Sequence, residues 1–391
     1  MKEHAEKTAR QLSIIETWRN NKGCGTLIAS TGFGKTYTAI MAIKKLREKY
    51  SDAHVIVVVP TINLQNQWYK ELKKHKQDKE TCVLVINTAY KNKYECGLLI
   101  MDEIHCYGAP EFIKVFEAIK YKYILGLTAT IERSDGKHEV LKEAAPIIDE
   151  VTLKECLDND WISKYNIYNL SVNFTEDEAE DYKKRDKTFK YAAYKLGYGG
   201  RDSFTKASNI LKSKTASAQD KAHAAIYYNS MRKRGEICKN AGNKIQAIVD
   251  IISLFPDRKA IVFSDSTNFA DDLQEHLGDI CVAFHSKMTA KQQREALKMF
   301  DDNRTKKRVI SCVKALNQGL DVPDCSLGIV AAGNSKKLDN IQRTGRIIRY
   351  QPDKTAIIVN LYVPETQEVN WLRSRQENME PVFIDDINQI I

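Results

Sequence analysis

Short apolar runs recur through the first third of the chain, at 26–29, 55–59, 82–86, 98–101 and 123–127, and longer stretches with helix-like apolar spacing separate them. An uninterrupted run of this length is what a strand buried on both faces requires. Its alternation with helices predicts a parallel sheet covered on both sides. A second series begins near Asn243, at 260–263, 280–284, 309–312, 327–331 and 356–361. The pattern therefore predicts an α/β chain with two such sheets in tandem, residues 1–165 and 243–391. A connecting segment of different character, 166–242, lies between them. In sheets of this kind ligands gather at the carboxyl ends of the strands.

Composition narrows the class. A chain of 391 residues with 43% hydrophobic content can bury two or three cores. No apolar run approaches the roughly 18 residues of a membrane span, and the polar start Met1-Lys2-Glu3-His4 lacks the apolar block of a secretion signal. A cytoplasmic setting, cytosolic or nuclear and away from any membrane, is the expectation. Nine cysteines without a C-x-x-C pair predict reduced thiols, with neither a disulfide framework nor a zinc site. Net charge is +9, yet residues 183–240 hold 15 Lys and Arg against 4 acids, so this segment alone carries more positive charge than the whole chain. Tyr182, Phe189, Tyr191, Tyr194, Tyr198, Phe204, Tyr227 and Tyr228 interleave with those cations. That mixture suits phosphate contact plus stacking on bases, beyond what a solvated basic face needs.

The chemistry starts at Ala29-Ser30-Thr31-Gly32-Phe33-Gly34-Lys35-Thr36, which follows the apolar Thr26-Leu27-Ile28 and opens a helical pattern through Ile40, Ile43 and Leu46. Gly32 and Gly34 let the backbone turn its N–H groups inward at phosphate oxygens, and the next helix adds the positive end of its dipole. In such a loop residues 30–34 cradle the phosphates, Lys35 reaches the β and γ groups, and Thr36 holds Mg²⁺. The match is G-x-x-x-x-G-K-[ST] with Ala29 in place of the first glycine. ATP and Mg²⁺ are the expected cofactors.

Three further sets complete the constellation. Leu98-Leu99-Ile100-Met101 delivers Asp102-Glu103 at a strand end, followed by Ile104-His105, so that Asp102 can orient the metal and Glu103 polarise an attacking water. Thr128 and Thr130, after the run ending at Leu127, offer hydroxyls able to hydrogen-bond a metal-linked carboxylate. In the second series, Gln318-Gly319-Leu320-Asp321 follows the third run. Gln342-Arg343-Thr344-Gly345-Arg346-Ile347-Ile348-Arg349 precedes the fifth, and on a helix Arg346 and Arg349 share one face, as paired cations for a phosphoryl group would.

In this order the motifs resemble the motor core of a superfamily 2 helicase, with two RecA-like domains and ATP between them. Val59-Pro60-Thr61 with Leu64, Gln67 and Trp68 meets the same pattern. The resemblance implies that Pro60, Thr61, Thr88 and Ser286 line a strand-binding groove. It also implies that Gly319 and Asp321 couple the second domain to the nucleotide, and that Gln342, Arg346 and Arg349 act in hydrolysis. Gln11 stands at the distance of the family's adenine-reading glutamine, although Ala9-Arg10-Gln11 departs from L-R-x-Y-Q; the alternative is a solvent-facing glutamine on the first helix. Leu127 to Asp135 is similar to the XPB-like branch, which includes phage branch-migration helicases, but Arg133-Ser134-Asp135 carries Ser where that branch carries Glu. The basic segment resembles the branch's thumb insertion, which would turn Arg232, Lys233 and Arg234 to a nucleic-acid backbone.

The expectation is thus a monomeric, ATP-driven DNA helicase or translocase acting on duplex, forked or branched DNA. An RNA helicase or RNA-dependent ATPase shares these motifs, and so would the motor subunit of a larger nuclease or remodelling complex. A non-enzymatic clamp would have no need of Glu103 and both arginines.

Overall fold

Valine and isoleucine crowd the strand interiors because β-branched side chains fit a pleated surface packed on both faces. In the computed structural model, which describes residues 2–131, 138–197, 203–313, 325–333, 355–376 and 379–391, they build two sheets. The first contains β1 (Cys24–Ala29), β2 (Val55–Val59), β3 (Thr81–Val85), β4 (Tyr94–Asp102), β5 (Ile119–Thr128) and β6 (Ile147–Val151), all parallel, in the order β3-β2-β4-β5-β1-β6. The main body of this unit ends at Asn166. Its helices are α1 (Lys2–Asn20), α2 (Lys35–Lys49), α3 (Ile62–Lys74), α4 (Ile86–Ala89), α5 (Val115–Ala118), α6 (His138–Ala144) and α7 (Leu153–Asp158).

Leu98 to Met101 have no exposed surface and Val55 to Val59 almost none, so central strands β4 and β2 are dry on both faces. Each side chain so buried contributes roughly 1.5–3 kcal/mol. The register sets the functional edge: Leu127 of β5 pairs with Asp102 of β4 on one side and Leu27 of β1 on the other. The end of β1, Asp102 and Thr128 therefore emerge at one level of the sheet.

The second unit holds a seven-stranded sheet ordered β13-β7-β12-β11-β8-β10-β9. These strands are β7 (Lys164–Ser171), β8 (Ala260–Ser264), β9 (Cys281–Phe284), β10 (Val309–Val313), β11 (Leu327–Val330), β12 (Thr355–Tyr362) and β13 (Val382–Ile384). β8 to β11 run parallel, and β13 runs parallel to β7. Helices α11 (Asn243–Leu254), α12 (Thr267–Leu277) and α13 (Ala290–Asp301), with a final helix at Gln367–Arg375, accompany them.

Between β7 and α11 come three helices, α8 (Glu176–Lys195), α9 (Ser203–Lys212) and α10 (Ala218–Lys239). A capping box of Thr175 and Glu178 starts α8, and acids fill its first turn, as the helix dipole favours. The three pack on a small core of Ala192, Ala207, Ala224 and Tyr227. All nine cysteines lie among the described residues, and none is in a disulfide. No helix among the described residues is long and apolar enough to cross a membrane.

The ten apolar runs of the sequence each become a strand. Three further strands carried no such signal. β6 is a sheet-edge strand with little buried surface, and β13 has three residues. β7, within the segment read as a connection, places polar Asn169 in the second unit's interior. There Asn169 and Gln376 exchange amide hydrogen bonds of 2.8 and 2.9 Å.

Candidate nucleotide site and nucleic-acid interface

The loop between β1 and α2 has the geometry that its glycines predict. Gly32 and Gly34 take φ of 90° and 98°, a region costly for any residue with a Cβ. Space forbids one as well: a Cβ on Gly32 would lie 2.9 Å from Ile162 Cγ2, and one on Gly34 would lie 2.9 Å from Gln11 Nε2. Gly34 precedes α2 directly and no side chain caps that helix. Its first N–H groups and its dipole face outward, as an anion site requires. Lys35 Nζ donates to Ala29 O at 2.9 Å, and no carboxylate among the described residues pairs with it.

Long-range contacts hold this loop. Gln11, only 3% exposed, donates from Nε2 to Phe33 O at 3.1 Å, so it is not the solvent-facing glutamine of the alternative reading. Lys7 Nζ donates to Gly32 O at 2.9 Å and to Trp161 O at 3.1 Å. Phe33 is fully buried, its ring 5.6 Å from that of Trp161. Of the predicted cradle residues, Phe33 can therefore offer a ligand its backbone but not its ring. Arg10 braces α1 with two 2.7 Å bonds to Asp149 and one of 2.8 Å to Glu155, which raise its pKa. Lys7, Trp161 and Ile162 were not among the expected site residues. Nothing in their local sequence marks them, and the last two lie far along the chain from the loop.

Asp102 ends β4 almost fully buried. Trp68 Nε1 donates to its Oδ2 at 2.8 Å and the Glu103 N–H to its Oδ1 at 3.1 Å. Burial pushes its carboxyl up to about 6, and the Glu103 charge adds to this; the Trp68 bond and the nearby Lys35 charge oppose it. Trp68 entered as part of a motif string, and its contact makes it the residue that orients Asp102. Tyr107 Oη donates to Asp102 O at 2.7 Å and to Val58 O at 3.1 Å, tying β4 to β2.

The threonine pair, expected to hydrogen-bond a metal-linked carboxylate, has His105 beside it. Thr128 Oγ1 lies 2.9 Å from His105 Nδ1, which in turn lies 3.4 Å from Glu103 Oε2. The same hydroxyl contacts Thr130 O and accepts from Thr130 N at 3.2 Å. His105 therefore links the end of β5 to the acidic pair.

Elsewhere the predicted residues divide. Pro60 and Thr61 follow β2, and Thr88 follows β3, on neighbouring strand ends whose register pairs Val59 with Val85. The Thr61 hydroxyl caps α3, accepting from Leu64 N, while Thr88 and Ser286 are exposed. Arg232 and Lys233 are exposed on α10, but Arg234 is not a backbone contact. It is 9% exposed, paired with Asp186 at 2.8 Å, and stacked on Phe189 at 4.3 Å and Tyr182 at 5.5 Å. Tyr182 and Tyr227, read as stacking residues, are likewise interior. Its place directly after Arg232 and Lys233 in sequence concealed this, because adjacent helical positions point about 100° apart. Gly319, Asp321, Arg133 to Asp135, Gln342, Arg346 and Arg349 lie outside the described residues.

The residues present fit a magnesium nucleoside triphosphate. An open helix start and a lysine with no carboxylate partner among the described residues suit its phosphates. Among the described residues no group of three or more His, Cys, Asp or Glu forms a protein-only metal cage. Mg²⁺ bound through one carboxylate and substrate phosphates needs none.

Comparison with known proteins supplies the rest. The family model described as "Type III restriction enzyme, res subunit" matches residues 2–133, and "Helicase conserved C-terminal domain" matches residues 243–351. The "DNA 3'-5' translocase XPB2" of Sulfurisphaera tokodaii is 29% identical over 96% of this chain and 86% of its own length. The "Putative DNA 3'-5' helicase Rad25" of Haloarcula marismortui is 23% identical over 92% of this chain and 52% of its own. A putative ATP-dependent RNA helicase of African swine fever virus is 35% identical over 29% of this chain and 26% of its own length. In fold, the crystal structure of the Pyrococcus furiosus Hef helicase domain superposes with a TM-score of 0.59 at 16% identity, covering 94% of this chain and 98% of that one.

Two parallel-sheet α/β units, the first opening on a phosphate loop, define a tandem RecA-like fold. The two matched domains and the XPB-type relatives together support an XPB-like superfamily 2 helicase or translocase, a nucleic-acid-dependent enzyme that hydrolyses ATP.

Proposed function

We propose that the protein is a DNA-dependent ATPase that moves along duplex, forked or branched DNA, driven by alternation of its two units with ATP binding and hydrolysis. The observation that carries this reading is the uncapped start of α2 beside Lys35 and Asp102, in a chain whose XPB-type relatives align along nearly its whole length. Bound ATP and Mg²⁺ would supply the phosphoryl group and its charge-neutralising cation. Lys35 and the backbone of residues 30–34 hold the phosphates, Thr36 and Asp102 hold the metal, and Gln11 supports the loop from behind. Glu103 orients water, with His105 and Thr128 fixing its surroundings. Gln342, Arg346 and Arg349 would steady charge on the transferred group, with Gly319 and Asp321 as coupling residues.

Pro60, Thr61, Thr88 and Ser286 are the proposed backbone contacts, joined by Arg232 and Lys233 from α10. Contacts of this kind read no sequence, so preference among DNA forms would come from shape. The test is ATP turnover without nucleic acid and with matched duplex, single-stranded and forked DNA and RNA. DNA is expected to stimulate more strongly than RNA. The viral relative named as an RNA helicase aligns with a small part of the chain, and greater stimulation by RNA would favour that reading instead.

A further inference from the structure

Helix α8 presents two faces of opposite character. Inward it carries Tyr182, Phe189 and Ala192 into the three-helix core, with Arg234 stacked on the two rings. On the outside, from Lys183 onward, Lys183, Lys187 and Tyr194 fall at i, i+4 and i+11, and Lys184, Tyr191 and Lys195 form the neighbouring line. All six are exposed. Tyr194 is 78% and Tyr191 54% exposed, the two most exposed aromatic side chains among the described residues.

Charge on this stretch of the helix is one-sided. The acids Glu176 to Asp181 lie in its first two turns. Asp186 is occupied twice, by Arg234 at 2.8 Å and Lys190 at 2.7 Å, and Arg185 is held by Asp181 at 3.0 Å. Lys183, Lys184, Lys187 and Lys195 have no carboxylate within 4 Å among the described residues. Lys195 instead leans over the Tyr191 ring, its Nζ 5.6 Å from the centroid.

A face built for solubility has no use for two rings this exposed. Single exposed apolar groups are ordinary, but two tyrosines three residues apart on one helix stand side by side, flanked by unpaired ammonium groups. That arrangement complements a polyanion that also offers flat, apolar faces. Duplex DNA buries those faces within its own stack, whereas an unpaired strand exposes them. From Lys183 to Tyr194 the helix rises about 16 Å, a length over which more than one phosphate of a strand can be met.

We propose that the outer face of α8, from Lys183 to Lys195, binds an unpaired DNA strand: Tyr191 and Tyr194 stack on bases, and Lys183, Lys184, Lys187 and Lys195 meet phosphates. It rests on the reading of the protein as a DNA motor and deepens it, because a motor with such a face distinguishes forked or opened DNA from intact duplex.

The test uses the full chain and equilibrium binding to three probes: oligothymidylate, an abasic strand of equal length, and a blunt duplex. Y191A/Y194A is expected to weaken oligothymidylate binding by about tenfold or more, leaving the abasic strand and duplex within about twofold. Y191F/Y194F, which keeps both rings, should restore binding and control for misfolding. Equal weakening on the abasic strand, or no weakening on oligothymidylate, overturns the stacking assignment. K183E/K187E should weaken both single strands and flatten the slope of log K against log salt by about 0.7 per lysine; an unchanged slope overturns the phosphate assignment. Duplex-stimulated ATP turnover, measured in parallel, separates the two readings. If stimulation persists while single-strand binding ignores these variants, the α8 face fails and the DNA motor stands. If no DNA stimulates even the unaltered protein, the motor reading itself fails.

Discussion

Each unit sends a central parallel strand into a helix, and the two turns are finished differently. After β1, α2 starts at a left-handed glycine with no side-chain cap, and among the described residues Lys35 reaches only the Ala29 carbonyl. After β8, Ser266 caps α12 by accepting from Phe269 N at 3.4 Å. Cations around that second turn are engaged by the protein itself: Lys239 by Asp265, and Lys244 by Glu368 at 2.9 Å. The same strand-to-helix geometry is therefore an anion site in one unit and a closed structural joint in the other. A phosphate-binding turn is made by leaving donors and a charge unanswered, at some cost to the free protein's stability.

Four substitutions probe that contrast. The largest effect belongs to the closed joint. Lys244 and Glu368 are 0% and 4% exposed, so K244M leaves a buried carboxylate unpaired and should destabilise by about 3–5 kcal/mol, read by denaturant unfolding. Little change would mean that this lysine is not structural. At the open turn, K35A should lower DNA-stimulated ATP turnover by about 10²- to 10³-fold, in the range of losing a main electrostatic donor, with unfolding unchanged. Turnover within twofold of the parent would erase the distinction between the turns.

G34A follows, with nucleotide affinity expected to fall about tenfold, because φ near +98° and the Gln11 amide leave no room for a methyl group. Isothermal titration with a non-hydrolysable ATP analogue measures this, and an unaltered affinity would show that loop conformation does not matter to binding. S266A, the smallest change, should remove about 1 kcal/mol of stability through the lost cap and leave nucleotide affinity where it was. A loss of ATP binding in S266A would make the second turn part of the nucleotide site after all.

What could be read from sequence was whatever lies close together along it. Residues 29–36 spell a phosphate loop because the chemistry needs contiguous backbone, and Asp102-Glu103 announces itself because a dry strand precedes it. Most of the support of that loop was hidden, since Lys7, Trp161 and Ile162 converge on it from distant segments. Trp68 appeared only as a letter in a motif until its indole was found on Asp102. Arg234 shows the opposite failure: a run of cations was assigned one direction, and helical rotation turned the last of them inward onto Asp186. β7 was missed because Asn169 breaks its apolar pattern, and that amide is tolerated only where Gln376 answers it.

The sequence by itself determined the class of element, the two-sheet plan and the presence of a triphosphate loop, because hydrophobic period and glycine conformation act over a few neighbouring residues. Only the tertiary structure decided which donors stay open, which cations are neutralised at home, and which aromatic rings face water. Those outcomes depend on partners brought together from far along the chain, and burial and pairing are properties of that assembled neighbourhood.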